Sequence, residues 1–362
     1  MSSVALDVSA FAQARQRRGL VALWLFGGAL AAAFLLAVGS GAVAIGPGEA
    51  LAILAAQLGI ELPWGFTRQQ EAVLLAIRLP RALAGILVGA ALAASGAALQ
   101  GLFRNPLADP ALIGVSTGAA LAAAAVIVLG GSLTAIVAVV PLSLLLPLAA
   151  FGGGLVTTLI VYRIASRDGR TDVATLLLAG VAMNAIAAAG IGLMVFMSDD
   201  QQLRDLNYWM LGSLGGTIWD RLATGAPFIL LGALALPFFA RALNALLLGE
   251  REAGHLGFHV ERSKCAIVVL AALATGTAVA LTGVIGFIGL VVPHVVRMLA
   301  GPDHRLLLPL SMLFGAALLL VADLFARTLV LPAELPIGIL TACIGGPFFI
   351  WLLLRRRSGS GW

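Results

Sequence analysis

The stretch IRLPRALAGILVGAALAASGAALQGLFRNPLADPALIGVSTG, residues 77–118, decides the fold. Two arginines, Arg78 and Arg81, open it, and an apolar run long enough to cross a bilayer follows. Small residues recur at every fourth position of that run, on one helix face: Gly85, Gly89, Ala93, Ala97 and Gly101. A polar loop bounded by prolines, residues 105–110, leads to a second apolar run. The stretch predicts charge on one side of a membrane, a helix made for close contact, and a structured loop on the other side.

The composition of the chain predicts an integral membrane protein. Of 362 residues, 61% are hydrophobic and 11% are charged, whereas soluble domains carry about 25% charged residues. The net charge of +5 does not indicate nucleic-acid binding, because Lys and Arg gather at the cytoplasmic helix ends of membrane proteins. We therefore expect an all-α polytopic membrane protein whose partner is the lipid bilayer, with one transmembrane domain over residues 1–362.

Hydropathy predicts ten transmembrane helices per protomer. They cover residues 20–38, 80–101, 111–130, 136–162, 174–197, 222–243, 265–284, 286–300, 306–322 and 337–354. Residues 1–19 form a cytoplasmic tail, and the run after it is a retained first span, since no signal-peptide cleavage site follows it. With both termini cytoplasmic, most Lys and Arg residues fall inside, and six remain outside: Arg68, Arg78, Arg81, Arg204, Arg221 and Arg327.

Two outer segments carry further helix signals. Residues 47–58 have helical periodicity and are expected to lie along the membrane interface. Residues 198–219 mix charges, aromatics and a Gly pair. A short helix entered from Ser198, with Asp199 and Asp200 in its first turn, fits the chemistry of helix N-termini there.

The longest inner segment, residues 241–264, predicts two short helices on the cytoplasmic face. Its mixture of Leu, Gly and charges favours a docking surface over an ordinary connecting loop. The outer arginines Arg78, Arg81 and Arg327 cluster by topology, and the alternative of scattered exposed charge is less favoured because Pro80 fixes the approach to the second span. A rigidly held guanidinium suits the carboxylates of a partner protein.

The sequence does not indicate a catalytic activity for this chain. The sequence contains no Walker A pattern and no H-E-x-x-H, so we expect neither an enzyme nor a resident metal or cofactor. Ionisable groups are rare in the spans, where Asp323 and Arg327 are expected to pair. A proton-driven carrier or channel would need a buried titratable group, and a passive scaffold would not explain the long inner segment.

Six motifs resemble those of one transporter family. They are RLPR at 78–81, VGAALAASGAALQGLFRNPLADPALIGVSTGA at 88–119, LLLAGVAMN at 176–184, LGEREAGHLG at 248–257, LTGVIGFIGLVVPHVVRMLAGPDHR at 281–305 and ELPIGILTACIGGPFFIWLL at 334–353. In this order they resemble the permease subunits of type II ABC importers for iron–siderophore, haem and cobalamin. The resemblance covers nearly all of the chain after residue 77.

The resemblance implies partners on both faces. A homodimer of this chain would carry the path on its two-fold axis, with two ABC ATPase subunits, which bind ATP and Mg, below. A periplasmic substrate-binding protein would dock above on Arg78, Arg81 and Arg327. The implied location is the bacterial inner membrane.

The resemblance also assigns inner residues. The cytoplasmic gate would include Asn105 and Leu107, and a second gate region would include Asp172, Val173 and Ala174, although residue types there differ from the family's. The ATPase-coupling helices would include Glu250, Arg251, Glu252, Ala253, Gly254, His255 and Gly257.

The transported substrate is expected to be haem. The outer run SDDQQLRDLNYWMLGSLGG, residues 198–216, resembles that of the haem permeases. Arg204 would then attract a haem propionate at the substrate entrance; alternatively it contacts the binding protein or pairs with Asp200. Ferric siderophores and cobalamin remain alternative substrates. The small-residue stripe either lines the path or packs the second span, and packing is favoured.

Overall fold

The structure is a computed structural model that describes residues 8–130, 142–330 and 333–357. The predicted tail 1–19 lies outside the described residues over 1–7, as does the predicted span 136–162 over 136–141. The chain is mainly helical, with a single short hairpin in its described part.

The described α-helices are α1 (Val8–Gly39), α2 (Pro47–Ala56), α3 (Arg68–Ala72), α4 (Leu79–Leu102), α5 (Val115–Leu129), α6 (Leu142–Ala165), α7 (Val173–Met197), α8 (Asp200–Met210), α9 (Trp219–Ala235), α10 (Ala240–Leu246), α11 (Glu250–His255), α12 (Val260–Thr282), α13 (Ile288–Ala300), α14 (His304–Thr328) and α15 (Ile337–Arg357). A π-helix at Val73–Arg78 joins α3 to α4, and 3₁₀ turns lie at Pro110–Ile113 and Leu236–Phe239. Strands β1 (Ser166–Arg167) and β2 (Arg170–Thr171) pair antiparallel.

Seven helical segments of the described chain are long and apolar enough to cross a membrane. Four shorter apolar helices accompany them: Pro47–Ala56, Val115–Leu129, Ile288–Ala300 and Ile337–Leu352. Each predicted span overlaps a helix, and the predicted span 222–243 is divided by the 3₁₀ turn that contains Pro237. The polytopic all-α fold is confirmed at this level.

The second span begins earlier than predicted. Helical structure starts at Arg68 and continues through the π-helix into α4. Thr67 caps this start, since its side chain accepts from Gln70 N and its own N–H donates to Gln70 Oε1. Pro80 therefore lies inside a continuous helix, and the wider turns before it accommodate a residue without a backbone N–H. Residues 67–71 are polar, so hydropathy did not include them in the predicted span.

The small-residue stripe packs α4 against α14, as predicted. A Cβ added at Gly89 would lie 2.4 Å from the backbone oxygen of Gly315, and one at Gly101 would lie 2.3 Å from His304 Nε2. Ala93 and Ala97 are fully buried. Because the two backbones approach this closely, the stripe packs the second span at the centre of the described chain.

Helices are present in both segments predicted to lie outside. The first is α2, which ends two residues before the predicted limit of 58, and the second is α8. Its cap is Asp199, whose carboxylate accepts from Gln201 N at 2.9 Å and Gln202 N at 2.8 Å, while Ser198 belongs to the end of α7. On the inner side, α11 is the first of the two predicted short helices, but the second is the start of the long helix α12.

Candidate functional site

Arg78 is buried and holds the loop that follows α1. It keeps 4% of its surface exposed. Its Nη1 donates to the backbone oxygens of Val38 at 2.8 Å and Gly39 at 3.0 Å, and its Nη2 donates to that of Val43. The guanidinium thus satisfies carbonyl groups that the end of α1 leaves without helical partners.

Arg81 belongs to a chain of ion pairs, the arginine–aspartate cluster, formed by Arg81, Asp323, Arg327 and Glu334. Arg81 donates to Asp323 Oδ1 from Nε at 3.0 Å and from Nη2 at 2.9 Å, and Nη1 donates to Glu334 Oε1 at 2.9 Å. Arg327 Nε lies 3.7 Å from Asp323 Oδ2, which confirms the predicted pair, and its Nη2 donates to the Ala37 oxygen. One buried carboxylate therefore joins two guanidinium groups.

The structure brings the three predicted docking arginines together and gives each a partner inside the chain. None of them is a scattered exposed charge, since 4–8% of their surfaces remain exposed. Glu334, with 36% of its side chain exposed, is the part of the cluster that reaches solvent. Contact between these arginines and a binding protein stays a prediction. A binding protein would have to reach guanidinium groups that contact oxygens of this chain.

A cavity of about 830 Å³ opens beside this cluster on the predicted outer side. Its wall includes Asp205, Tyr208 and Trp209 from α8, Arg221 from α9, and Glu334. Arg221 Nη1 makes a long hydrogen bond of 3.4 Å to the Gly216 oxygen, and its Nε is buried without a hydrogen-bond partner among the described residues. The cavity offers aromatic surface and a guanidinium that forms no ion pair with a described carboxylate.

Arg204, the predicted entrance residue, is exposed on α8 and does not line this cavity. It forms no ion pair with a described carboxylate, so the alternative pairing with Asp200 is not seen. Arg221 was the residue that sequence reasoning missed. Its position among the six outer arginines was a signal, but nothing in the sequence showed that it faces a cavity.

The predicted gate loop is an exposed turn. Asn105 Oδ1 accepts from Leu107 N at 3.0 Å, and both residues are exposed. Asp109 caps the following 3₁₀ turn by accepting from Ala111 N at 2.8 Å. Burial raises the pKa of the Asp109 carboxyl. The loop borders an inner cavity of about 230 Å³ whose wall includes His304.

The second predicted gate region, residues 172–174, forms the start of α7. Asp172 accepts from Thr175 N at 2.8 Å and from Thr175 Oγ1 at 2.6 Å, and these hydrogen bonds lower the pKa of its carboxyl. Farther along α7, Asn184 Nδ2 donates to the Ala111 oxygen at 3.1 Å. The two gate segments are therefore tied through α7 and the turn that follows the Asn105 loop.

The predicted coupling residues lie on and beside α11. Ala253 is fully buried and anchors this helix, whereas five of the others are exposed: Arg251, Glu252, Gly254, His255 and Gly257. Glu250, the first residue of the helix, is half-buried and contacts Lys264 Nζ at 2.7 Å. The structure thus presents most of these side chains on a free face, as a docking surface requires.

Long apolar helices join the arginine–aspartate cluster to the exposed helix α11, as in a polytopic membrane protein. The chain belongs to the FecCD transport family, whose model matches residues 29–355. It is accordingly the permease component of a type II ABC importer.

Three known proteins illustrate the similarity. The hemin transport system permease protein HmuU of Yersinia pestis is 50% identical over 78% of this chain and 84% of its own length. A vitamin B12 import system permease protein BtuC of Shigella boydii is 43% identical over 85% and 91%. An inward-facing structure of a metal-chelate type ABC transporter has a TM-score of 0.78 and 31% identity, covering 92% of this chain and 98% of that one.

Proposed function

We propose that this permease moves haem from the periplasm to the cytoplasm of a bacterium, across the inner membrane. The 50% identity to a hemin permease carries the choice of substrate. The outer cavity supports it, because Tyr208 and Trp209 offer aromatic surface and the guanidinium of Arg221 lines the same wall. Haem combines a flat apolar macrocycle with carboxylates, which such a wall can contact.

The proposed topology has ten spans with both termini cytoplasmic. Seven long apolar segments and three of the shorter apolar helices, α5, α13 and α15, make up this number, while α2 lies along the outer interface. Two of the short helices pack against longer ones, α5 against α6 and α7, and α13 against α4 and α14.

The proposed assembly is a homodimer with two ATPase subunits and a periplasmic binding protein. Helix α7 supports the dimer, since it is the least buried of the seven long segments. One face of it exposes small and apolar residues: Leu178, Val181, Ala182, Ala185, Ala189, Gly192 and Phe196. Such a face packs well against a second copy within the membrane. ATP hydrolysis by the partner would drive alternating access through α11.

A proton-coupled carrier fits the structure less well. The buried carboxylate of Asp323 is held between two arginines, and an ion-paired carboxylate is poorly placed to release and accept protons during transport.

Reconstituted uptake tests the proposal. Proteoliposomes that contain the permease and its ATPase receive haem from the binding protein on the opposite side of the membrane. They are expected to accumulate haem in the compartment that the ATPase faces when ATP is present there. Ferric siderophore and cobalamin, delivered in the same way, should give no accumulation above background. Uptake of cobalamin or a siderophore in place of haem would overturn the substrate, and uptake driven by a pH gradient without ATP would overturn the mechanism.

Replacing Arg221 by glutamine is expected to lower the rate of haem uptake at sub-saturating loaded binding protein by about 10-fold. This loss corresponds to one charge-assisted hydrogen bond of roughly 1.5 kcal/mol. Arg204→Gln tests the predicted entrance residue in the same assay, and Arg68→Gln, at an exposed arginine outside the cavity, is the control. An uptake rate for Arg221→Gln equal to that of the control would contradict the proposal that haem contacts Arg221 in this cavity.

A further inference from the structure

Lys264 is buried within the described part of the chain, and it joins three segments. Its side chain is 2% exposed. The ammonium Nζ lies 2.7 Å from Glu250 Oε2 on α11 and 3.0 Å from Glu261 Oε1 on its own helix, α12. It also donates to the Thr171 oxygen on β2 at 2.8 Å. The ammonium group therefore donates two hydrogen bonds, to Thr171 and Glu261, and forms an ion pair with Glu250.

The same residues hold both backbone groups of Thr171. Glu261 Oε2 accepts from Thr171 N at 2.8 Å, while Lys264 takes the carbonyl oxygen. The next residue along the chain is Asp172, which caps α7 and belongs to the predicted gate. Lys264 therefore binds the residue immediately before Asp172, the N-cap of α7.

We propose that Lys264 is a positioning residue that transmits displacement of α11 to the gate at the base of α7. This inference rests on the proposed function, in which an ATPase docks on α11. A buried ammonium group cannot give up its partners without a large penalty, so α11 and β2 are constrained to move together. Glu250, with 41% of its side chain exposed, is the link that a docked partner would cover.

Sequence position alone did not indicate this role. Lys264 was one of many basic residues expected at the cytoplasmic helix ends. The spacing of Glu261 and Lys264 predicts a contact on one helix turn, but Glu250 and Thr171 reach the lysine only through the fold.

The test compares transport per ATP hydrolysed in the reconstituted complex. Lys264→Met keeps the length of the side chain and removes its charge, and it is expected to lower this ratio at least ~5-fold, a typical coupling between sites. Glu250→Gln should act in the same direction with little risk to folding, because Glu250 is partly exposed. Arg262→Met, at an exposed residue two positions away, is the matched control.

A purely structural lysine would give a different result. Complexes that assemble normally and keep the wild-type ratio in both Lys264→Met and Glu250→Gln would overturn the inference. If Lys264→Met fails to assemble, Glu250→Gln alone decides by the same criterion. The double variant should be no worse than Lys264→Met, since both remove one link. Failure of ATP-driven haem uptake by the wild-type complex would instead contradict the proposed function.

Discussion

Replacing Gly96 by alanine is expected to destabilise the permease by at least ~3 kcal/mol, at the upper end of what overpacking costs in a core. A Cβ at this position would lie 1.7 Å from the backbone oxygen of Gly289 on α13. Neither atom belongs to a flexible side chain, so two helix backbones must separate. The expected observation is a large fall in the yield of monodisperse protein in detergent and in its thermal midpoint.

The matched control is Gly28→Ala on α1. An added Cβ meets nothing within 4 Å there, and alanine is the better helix former by about 1 kcal/mol in peptides. This variant should therefore retain the wild-type midpoint or exceed it. Equal midpoints for Gly96→Ala and the wild type would show that α4 and α13 do not meet at this contact.

Sequence reasoning identified α4 as the central helix but not its closest contact. The four-residue period led to the face that packs on α14, and Gly89 and Gly101 confirm that face. Gly96 lies outside the period. Most residues of α4 are buried, so polar residues do not mark where one contact face ends and the next begins. The face that packs on α13 therefore has no signature in the sequence.

The helices followed from hydropathy because each must satisfy its backbone hydrogen bonds within the bilayer. Their ends followed less well. The extension of the second span to Arg68 is polar, and its start depends on a capping exchange between Thr67 and Gln70 that composition does not reveal.

Burial of the charged residues could not be predicted from one sequence. Arg81 and Asp323 are 242 positions apart, so their pairing depends on how α4 and α14 pack. The cavity beside Arg221 is likewise a product of several helices. Local patterns give the type of each segment, whereas the partners of a buried charge are set by the tertiary fold.

Replacing Asp323 by asparagine is expected to destabilise the protein by about 3–5 kcal/mol, the usual effect of removing one partner from a buried ion pair. Asparagine keeps the shape but removes the charge, so Arg81 retains Glu334 as its one carboxylate partner in the cluster and Arg327 retains a backbone carbonyl. The measurement is the thermal midpoint and the denaturant midpoint in detergent. Glu334→Gln, at a half-exposed member of the same cluster, is the control and should cost no more than ~1 kcal/mol.

The same cluster allows structural and docking roles of Arg81 to be separated. Replacing both partners of a buried ion pair by apolar residues is often neutral, so Arg81→Met combined with Asp323→Leu should recover the part of the stability that Asp323→Asn loses at Arg81. Arg327 keeps only the Ala37 oxygen in both variants. Affinity for the binding protein is then measured on a folded permease. If Arg81 also contacts that partner, the double variant binds it weakly although it is stable. Wild-type affinity in the double variant would assign Arg81 to the fold alone, and stability no better than that of Asp323→Asn would show that the loss arises at Arg327 and not at Arg81.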